Sequence, residues 1–201
     1  MNKKHQILNA AAKLFATQGF DGTTTLQIAT EAHVTEPLIY YHFKGKDELF
    51  TSILQSAFEK YFSRLDDLPL PTVIQFEQIE NLINLHFAII DEMPNETFLV
   101  MNTCPAKLND PDHVCRANID RQKEWLTEYL THCLEEGIDR KEFIELSIAP
   151  TVELLLGVIS GITRRRALKL DSNRQVRAAT IDFCRRALQA RPFQPVRTDP
   201  D

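Results

Sequence analysis

The chain has 201 residues, 43% of them apolar and 25% charged, so a buried core is affordable and a disordered polyelectrolyte is excluded. Its start, MNKKHQILNAAAKLFA, lacks an uninterrupted apolar h-region and a cleavage site, and its longest apolar stretch, Leu154 to Ile162, is too short to span a bilayer. We therefore expect a soluble cytoplasmic protein. Only six glycines and few alternating apolar runs favour an all-α chain. The net charge of −5 is unevenly spread: residues 1–50 balance five lysines against five acids, while the remainder carries 18 basic and 23 acidic residues.

The first helix is expected over Asn2 to Gln18, where Ile7, Leu8, Ala11, Leu14 and Phe15 repeat at three and four. Gly19 stops it, and Phe20 can pack back on it. Thr23, Thr24 and Thr25 are natural N-caps for a second helix with Leu26, Ile28, Ala29 and Ala32 on its apolar side. Ala32-His33-Val34-Thr35 breaks it. Thr35 can cap a third helix, Glu36 to Phe43, which opens with an acid and a proline and carries Leu38, Tyr41 and His42 outward. A helix this short needs packing to hold it, and a polar-aromatic outer face is what a helix-turn-helix offers a DNA groove.

Lys44-Gly45-Lys46-Asp47 opens a fourth helix running to about Asp66, with Leu49, Phe50, Ile53, Leu54, Ala57, Phe58, Tyr61 and Phe62 on its core face. With no long linker before it, this helix belongs to both halves of the molecule. Leu68-Pro69-Leu70-Pro71 is a break, and Thr72 with Gln75 forms a capping box for a helix to Met93. A short helix is expected over Glu96 to Asn102 and a loop over Lys107 to Asp110. Asp110-Pro111 reads as N-cap plus N1 proline of a helix to Glu136, closed by Gly137. Another helix runs from near Ser147 to Ala167, apolar nearly all round in its middle, with Gly157, Ser160 and Gly161 small enough to admit a neighbouring helix. Ser172-Asn173 caps a last helix to Leu188, with Val176, Ala179, Phe183 and Ala187 on one side. Arg191 to Asp201 reads as a loose tail.

Cys104, Cys115, Cys133 and Cys184 have no CxxC spacing. They read as reduced, mostly buried thiols, with a thiol or metal sensor built on Cys104, His113 and Cys115 as the sharper alternative. Arg164-Arg165-Arg166 reads as a solvated helix end favoured by the dipole, with a nucleic-acid site as the alternative. His86, Trp125 and Tyr129 sit on apolar faces. They are either satisfied core residues or the polar points of a ligand pocket walled by Phe62, Phe87, Phe98 and Met101. No GxSxG, Walker or GxGxxG run is present, and an enzyme, a cofactor and a resident metal are not expected.

The run ILNAAAKLFATQGFDGTTTLQIATEAHVTEPLIYYHFKGKDELF resembles the TetR family of bacterial transcriptional regulators. Phe15, Gly19-Phe20, Thr25, Ile28-Ala29, Val34, Tyr40, His42-Phe43 and Lys46 carry the resemblance. Beyond residue 50 it is one of layout only. The resemblance implies that Thr25, Tyr40 and Lys46 meet phosphates. Thr35, Glu36, Pro37, Leu38, Tyr41 and His42 take the recognition positions, and Gln27 touches the groove edge. Two departures stand out: His33 occupies a turn position that is often glycine, and Glu36 one that is often small or basic. Glu36 either reads a cytosine amine or complements the helix dipole.

The expected organisation is a helix-turn-helix DNA-binding domain over 1–46, a helical effector-binding and dimerisation domain over 47–190, and the tail over 191–201. The function expected is a ligand-responsive repressor binding a pseudo-palindromic operator as a homodimer and released by a small apolar effector. The alternative is a dimeric ligand-binding or protein-interaction module without DNA binding. Leu154, Val158, Gly161, Ile162, Val176 and Phe183 are the expected dimer contacts.

Overall fold

A computed structural model describes residues 2–68, 74–170 and 175–189. Among these the chain forms nine helices and no strand: α1 (Lys3–Gln18), α2 (Thr25–Glu31), α3 (Glu36–His42), α4 (Lys46–Asp66), α5 (Gln75–Glu92), α6 (Pro94–Lys107), α7 (Val114–Asp139), α8 (Ile148–Ala167) and α9 (Val176–Leu188). The breaks at 69–71, the Thr72 and Ser172-Asn173 caps and the 191–201 tail lie outside the described residues.

Helices α1 to α3 form the head. Asn2 caps α1 by accepting from Lys4 N–H at 3.0 Å, and Gly19 ends it at φ 80°. Thr24 and Gln27 close a reciprocal capping box on α2. Ile7, Ala11, Phe15, Ile28, Ala29 and Ile39 fill the space between the three helices. Phe15, Phe20 and Phe50 meet at ring centroids 5.3–5.4 Å apart, which joins α4 to that core. Leu26, expected on the apolar side of α2, is instead 61% exposed. It lies two residues before Ile28, about 200° around a helix of 3.6 residues per turn, so burial of Ile28 and Ala29 turns it outward.

In the body α5 is central, packed by α4, α6, α7, α8 and α9, and its Ile79, Leu82 and Ile83 are fully buried. Its N-terminus is capped from far along the chain: Glu142 accepts from Gln75 N–H at 2.6 Å and Phe76 N–H at 2.8 Å. Helix α6 packs on α1 as well as α4, so the body touches the head through more than the shared helix.

Three boundaries differ from expectation. Helix α6 is longer than Glu96 to Asn102 and continues through Pro105 to Lys107. Asp110 does not start α7: it accepts from Asp112 N–H at 3.2 Å in a local turn, and His113 Nδ1 caps α7 through Cys115 N–H at 3.2 Å. Gly137 does not stop α7 but lies buried inside it, where a methyl group would overlap the Phe143 ring. The stop is Lys141, at φ 60°, with Lys141 N–H donating to Ile138 and Glu142 N–H to Gly137. His33 (φ 52°) ends α2 and Lys169 (φ 56°) ends α8 in the same doubly bonded way, with Val34 N–H on Ala29 and Leu170 N–H on Arg165.

Cys104 at the end of α6 is disulfide-bonded to Cys115 at the start of α7, which corrects the reading of these two as reduced thiols. It also removes both sulfurs from the metal-sensor alternative. Cys133 and Cys184 are free and buried.

Candidate functional site

The outer face of the head is built on α3. Tyr41 is 81% and Tyr40 54% exposed; Thr35 and Pro37 are exposed, and Leu38 and His42 half-buried. Buried Ile39 and Phe43 hold the helix from behind. Leu26 of α2 extends this face, a contribution the sequence reading missed because it assigned Leu26 to the core. Between Thr23 and Phe43 there is no lysine or arginine, so the face is hydroxyl, aromatic and apolar.

Several polar groups assigned here to DNA are engaged within the head. Thr25 Oγ1 donates to Glu36 Oε1 at 2.6 Å and lies 3.2 Å from the Tyr40 hydroxyl. Glu36 thus ties α2 to α3, a third role beside base contact and dipole complement. Gln27 turns its amide oxygen to Thr24 N–H at 2.8 Å in the capping box rather than outward. Lys46 Nζ donates to the carbonyls of Phe20 (2.7 Å) and Thr23 (3.1 Å) and lies 4.3 Å from the Phe20 ring centroid. The first residue of α4 therefore clasps the α1–α2 turn. Lys13 pairs with Glu31 at 2.6 Å and holds its carboxyl below the usual range.

The body encloses a cavity of about 260 Å³ between α4, α5, α6, α7 and α8. Ala57, Phe58 and Tyr61 come from α4; Ile89, Ile90, Met93, Val100, Met101, Pro105 and Ile119 supply most of the remaining apolar wall. No charged side chain lines it. Its polar points are Tyr61, His86, Thr97, Gln122 and Thr163. His86 Nδ1 lies 2.8 Å from the Leu82 carbonyl and must donate to it, which leaves Nε2 to accept from the Tyr61 hydroxyl at 3.2 Å. Gln122 hydrogen-bonds Tyr61 in turn. Burial pushes the His86 pKa down and the Tyr61 pKa up, so both are neutral. A second space of about 430 Å³ shares His86, Met101, Ile119, Gln122 and Thr163 and reaches Lys123, Glu153 and Gly157 at the α7–α8 surface.

Of the expected pocket residues, His86 and Met101 line the cavity and the others do not. Phe62 lies under Arg121, 3.9 Å from ring centroid to guanidinium. Phe87 is buried beneath Arg166, and Phe98 lines a separate groove with Ala16 and Thr17 of α1. Trp125 and Tyr129 stack at 4.9 Å, and the Tyr129 hydroxyl donates toward Gln78. These rings have found partners on their own or neighbouring helices, which leaves the cavity to Phe58, Tyr61 and smaller residues. A polar residue on an otherwise buried stripe, as Thr163 is on α8, was the signal available for the rest.

On α8 and α9, Leu154 is 70% and Phe183 59% exposed, with Gly161 exposed and Val158, Ile162 and Val176 half-buried. The buried side of α9 is Thr180, Cys184 and Leu188, so Phe183 faces away from the core, while Val176, one turn before Thr180, packs partly against it. Arg166 pairs with Asp91 at 2.7 Å and Arg164 donates to the Met101 carbonyl, so two of the three arginines are bound to the body rather than simply solvated. Among the described residues no helix is long and apolar enough to cross a membrane.

Residues 7–53 match the family model of the bacterial regulatory proteins of the tetR family. The chain is 27% identical over 138 residues to the HTH-type transcriptional regulator HbdR of an Aromatoleum species, a match covering 69% of this chain and 60% of that one. It is 24% identical over 143 residues to the HTH-type transcriptional repressor KstR2 of Mycobacterium tuberculosis, covering 70% of this chain and 71% of that one. The solved structure of KstR2, titled a ketosteroid transcriptional regulator, superposes with a TM-score of 0.74 at 17% identity over 94% of this chain and 96% of that one. The regulator FadR of Bacillus subtilis, solved with stearoyl-CoA, gives 0.64 at 19% identity over 91% and 98%. The head of this chain is thus similar to the tetR family of bacterial regulatory proteins, and the helical body behind it has the fold of these regulators.

Proposed function

We propose that the protein is a cytoplasmic, ligand-responsive DNA-binding transcriptional regulator that acts as a repressor. Residues 1–46 form its DNA-binding domain and 47–190 its effector-binding and dimerisation domain. The carrying observation is α4: its first residue, Lys46, clasps the head, and its Ala57, Phe58 and Tyr61 line the cavity. A ligand that binds differently to two positions of α4 changes the presentation of α3.

Two copies pair through α8 and α9, covering Leu154, Val158, Gly161, Ile162, Val176 and Phe183. They present Thr35, Pro37, Leu38, Tyr41 and His42 to successive major grooves of a pseudo-palindrome, about 34–36 Å apart. Thr25, Tyr40 and Lys46 meet the backbone in that complex after exchanging part of their internal hydrogen bonding. The cavity's uncharged lining selects an effector that is apolar, carries no formal charge within it, and holds a hydroxyl or carbonyl for Gln122 or Thr97. About 260 Å³ corresponds to roughly nine waters of liquid volume, so the part enclosed is small.

The test is a gel shift on the DNA upstream of the protein's own gene, then selection from random DNA. Binding released by neutral apolar compounds is expected. Absence of binding to either DNA at low salt contradicts the proposal and favours a dimeric ligand-binding module, a reading supported by an α2–α3 face without lysine or arginine. Light scattering at micromolar concentration should report a dimer.

A further inference from the structure

The geometry points to the Cys104–Cys115 pair as a reversible dithiol–disulfide latch on the floor of the effector cavity, oxidised by peroxide and reduced by a dithiol. The inference rests on the reading of that cavity as a ligand site and adds its redox regulation.

Cys104 lines the cavity wall beside Pro105 and Leu108, and its partner Cys115 is the second residue of α7. Their Cα atoms are 5.1 Å apart, and the bond spans the connection between α6 and α7. Besides this bond, that end of α6 is held by single hydrogen bonds from arginines of α7 and α8, Arg116 to the Leu108 carbonyl and Arg164 to that of Met101. Pro105 supplies no N–H to the Met101 carbonyl, which must borrow one from Arg164. The connection that follows is fixed by local turns, such as Asp110 N–H on Lys107 and His113 N–H on Asp110, and by that one exposed arginine of α7, Arg116. A cross-link across this segment removes its freedom and holds Pro105 and Leu108 against the cavity.

The surroundings suit the chemistry. A disulfide in a cell compartment that keeps thiols reduced is more often redox-responsive than structural. Cys104 meets any small oxidant that enters the cavity. Cys115 sits in the first turn of a 26-residue helix, where the dipole favours a thiolate. The other two cysteines are free and lie apart on α7 and α9, away from this connection. In the forward step the Cys104 thiolate attacks the O–O bond of hydrogen peroxide, giving a sulfenic acid and, with one proton, water. The Cys115 thiolate then attacks that sulfur and displaces hydroxide, which takes the second proton and leaves as water. Two thiols and one peroxide thus yield one disulfide and two waters. In reverse, a dithiol of the thioredoxin class attacks the disulfide, passes through a mixed disulfide and leaves oxidised, returning both cysteines as thiols.

The test equilibrates the full chain with hydrogen peroxide or with a dithiol and counts thiols with a maleimide under denaturing conditions. Two are expected after peroxide and four after the dithiol; equal counts overturn the latch. Uptake of the uncharged dye Nile red should be at least threefold faster in the reduced protein, and Cys115→Ser should take it up at the reduced rate in either condition. Equal uptake in both wild-type states overturns the latch. If the dye binds neither state, the cavity reading falls, and amide exchange over residues 106–113 decides the latch separately. Exchange at least fivefold slower in the disulfide form supports it, and equal rates overturn it.

Discussion

Arg164 donates across 3.3 Å to the carbonyl of Met101, the oxygen that Pro105 leaves without a helical N–H. A proline within a helix normally forfeits that bond and kinks the chain. Here α8 supplies the missing donor to α6, which keeps α6 helical up to Lys107 and completes the cavity wall. Arg164→Ala should cost about 1 kcal/mol of stability. In a Pro105→Ala background, where the N–H is restored, the same change should cost less than about 0.5 kcal/mol. A double-mutant cycle by denaturant titration checks this; equal losses in the two backgrounds would show that the two residues are not coupled.

Gly137 and Lys141 have exchanged the roles that sequence habit assigns them. Gly137→Ala gains about 1 kcal/mol of helix propensity, but its methyl overlaps the Phe143 ring, and overpacking costs about 1–3 kcal/mol. The net expectation is a loss. Lys141→Gly should stabilise by about 1 kcal/mol, because a left-handed φ strains any residue with a Cβ. Thermal unfolding of the two variants should move Tm in opposite directions.

His86 makes stability fall in mild acid. Its folded pKa is depressed by burial, while the unfolded imidazole keeps its ordinary value near 6.5. Above that pH both states hold it neutral and it contributes nothing. Below it the unfolded chain binds a proton that the folded chain refuses. Stability is therefore lost as pH falls from about 6.5 toward the lower folded value, at a slope approaching about 1.4 kcal/mol per pH unit. His86→Gln keeps an acceptor for Tyr61 and removes the titration. Its stability curve between pH 7.5 and 5.5 should be flatter than that of the wild type.

Glu36 places a carboxylate beside two hydroxyls proposed for phosphate. Glu36→Gln keeps an oxygen for Thr25 and removes the negative charge, so binding to DNA of any sequence should tighten by about threefold, with an unchanged selected motif. If selection shows one operator position relaxed instead, Glu36 reads a base.

The helices themselves were legible because their apolar residues repeat at three and four and their caps are local. Asn2, Thr24 and Gly19 do at the ends of α1 and α2 what such residues do elsewhere. The errors came where a distant partner decides. Glu142 caps α5 from 66 residues away, and neither segment advertises the other. Arg164 rescues α6 across 63 residues. The stop of α7 was misjudged because Lys141 adopts the left-handed conformation that the reading reserved chiefly for glycine, whereas α2 and α8 end where expected, His33 and Lys169 taking that same conformation. In the head, the residue types were legible but their partners were not. Thr25, Gln27 and Lys46 each satisfy a neighbour's backbone or side chain. In the body, the rings expected as cavity walls, Phe62, Phe87, Phe98, Trp125 and Tyr129, fill space against other partners, and Phe58 and Tyr61 of α4 border the cavity instead.

The clasp at Lys46 gives α4 the mechanics of a lever. At about 1.5 Å per residue, Tyr61 at the cavity lies about 22 Å along the helix from Lys46. A tilt of about 5° pivoting at Tyr61 carries the Lys46 end, and the turn it grips, through about 2 Å. In a two-fold pair the displacements add to about 4 Å against a groove repeat of about 34 Å. In the proposed dimer, a ligand small enough for the cavity would need to wedge α4 by only a fraction of a side chain's width to set the two heads out of step with the double helix.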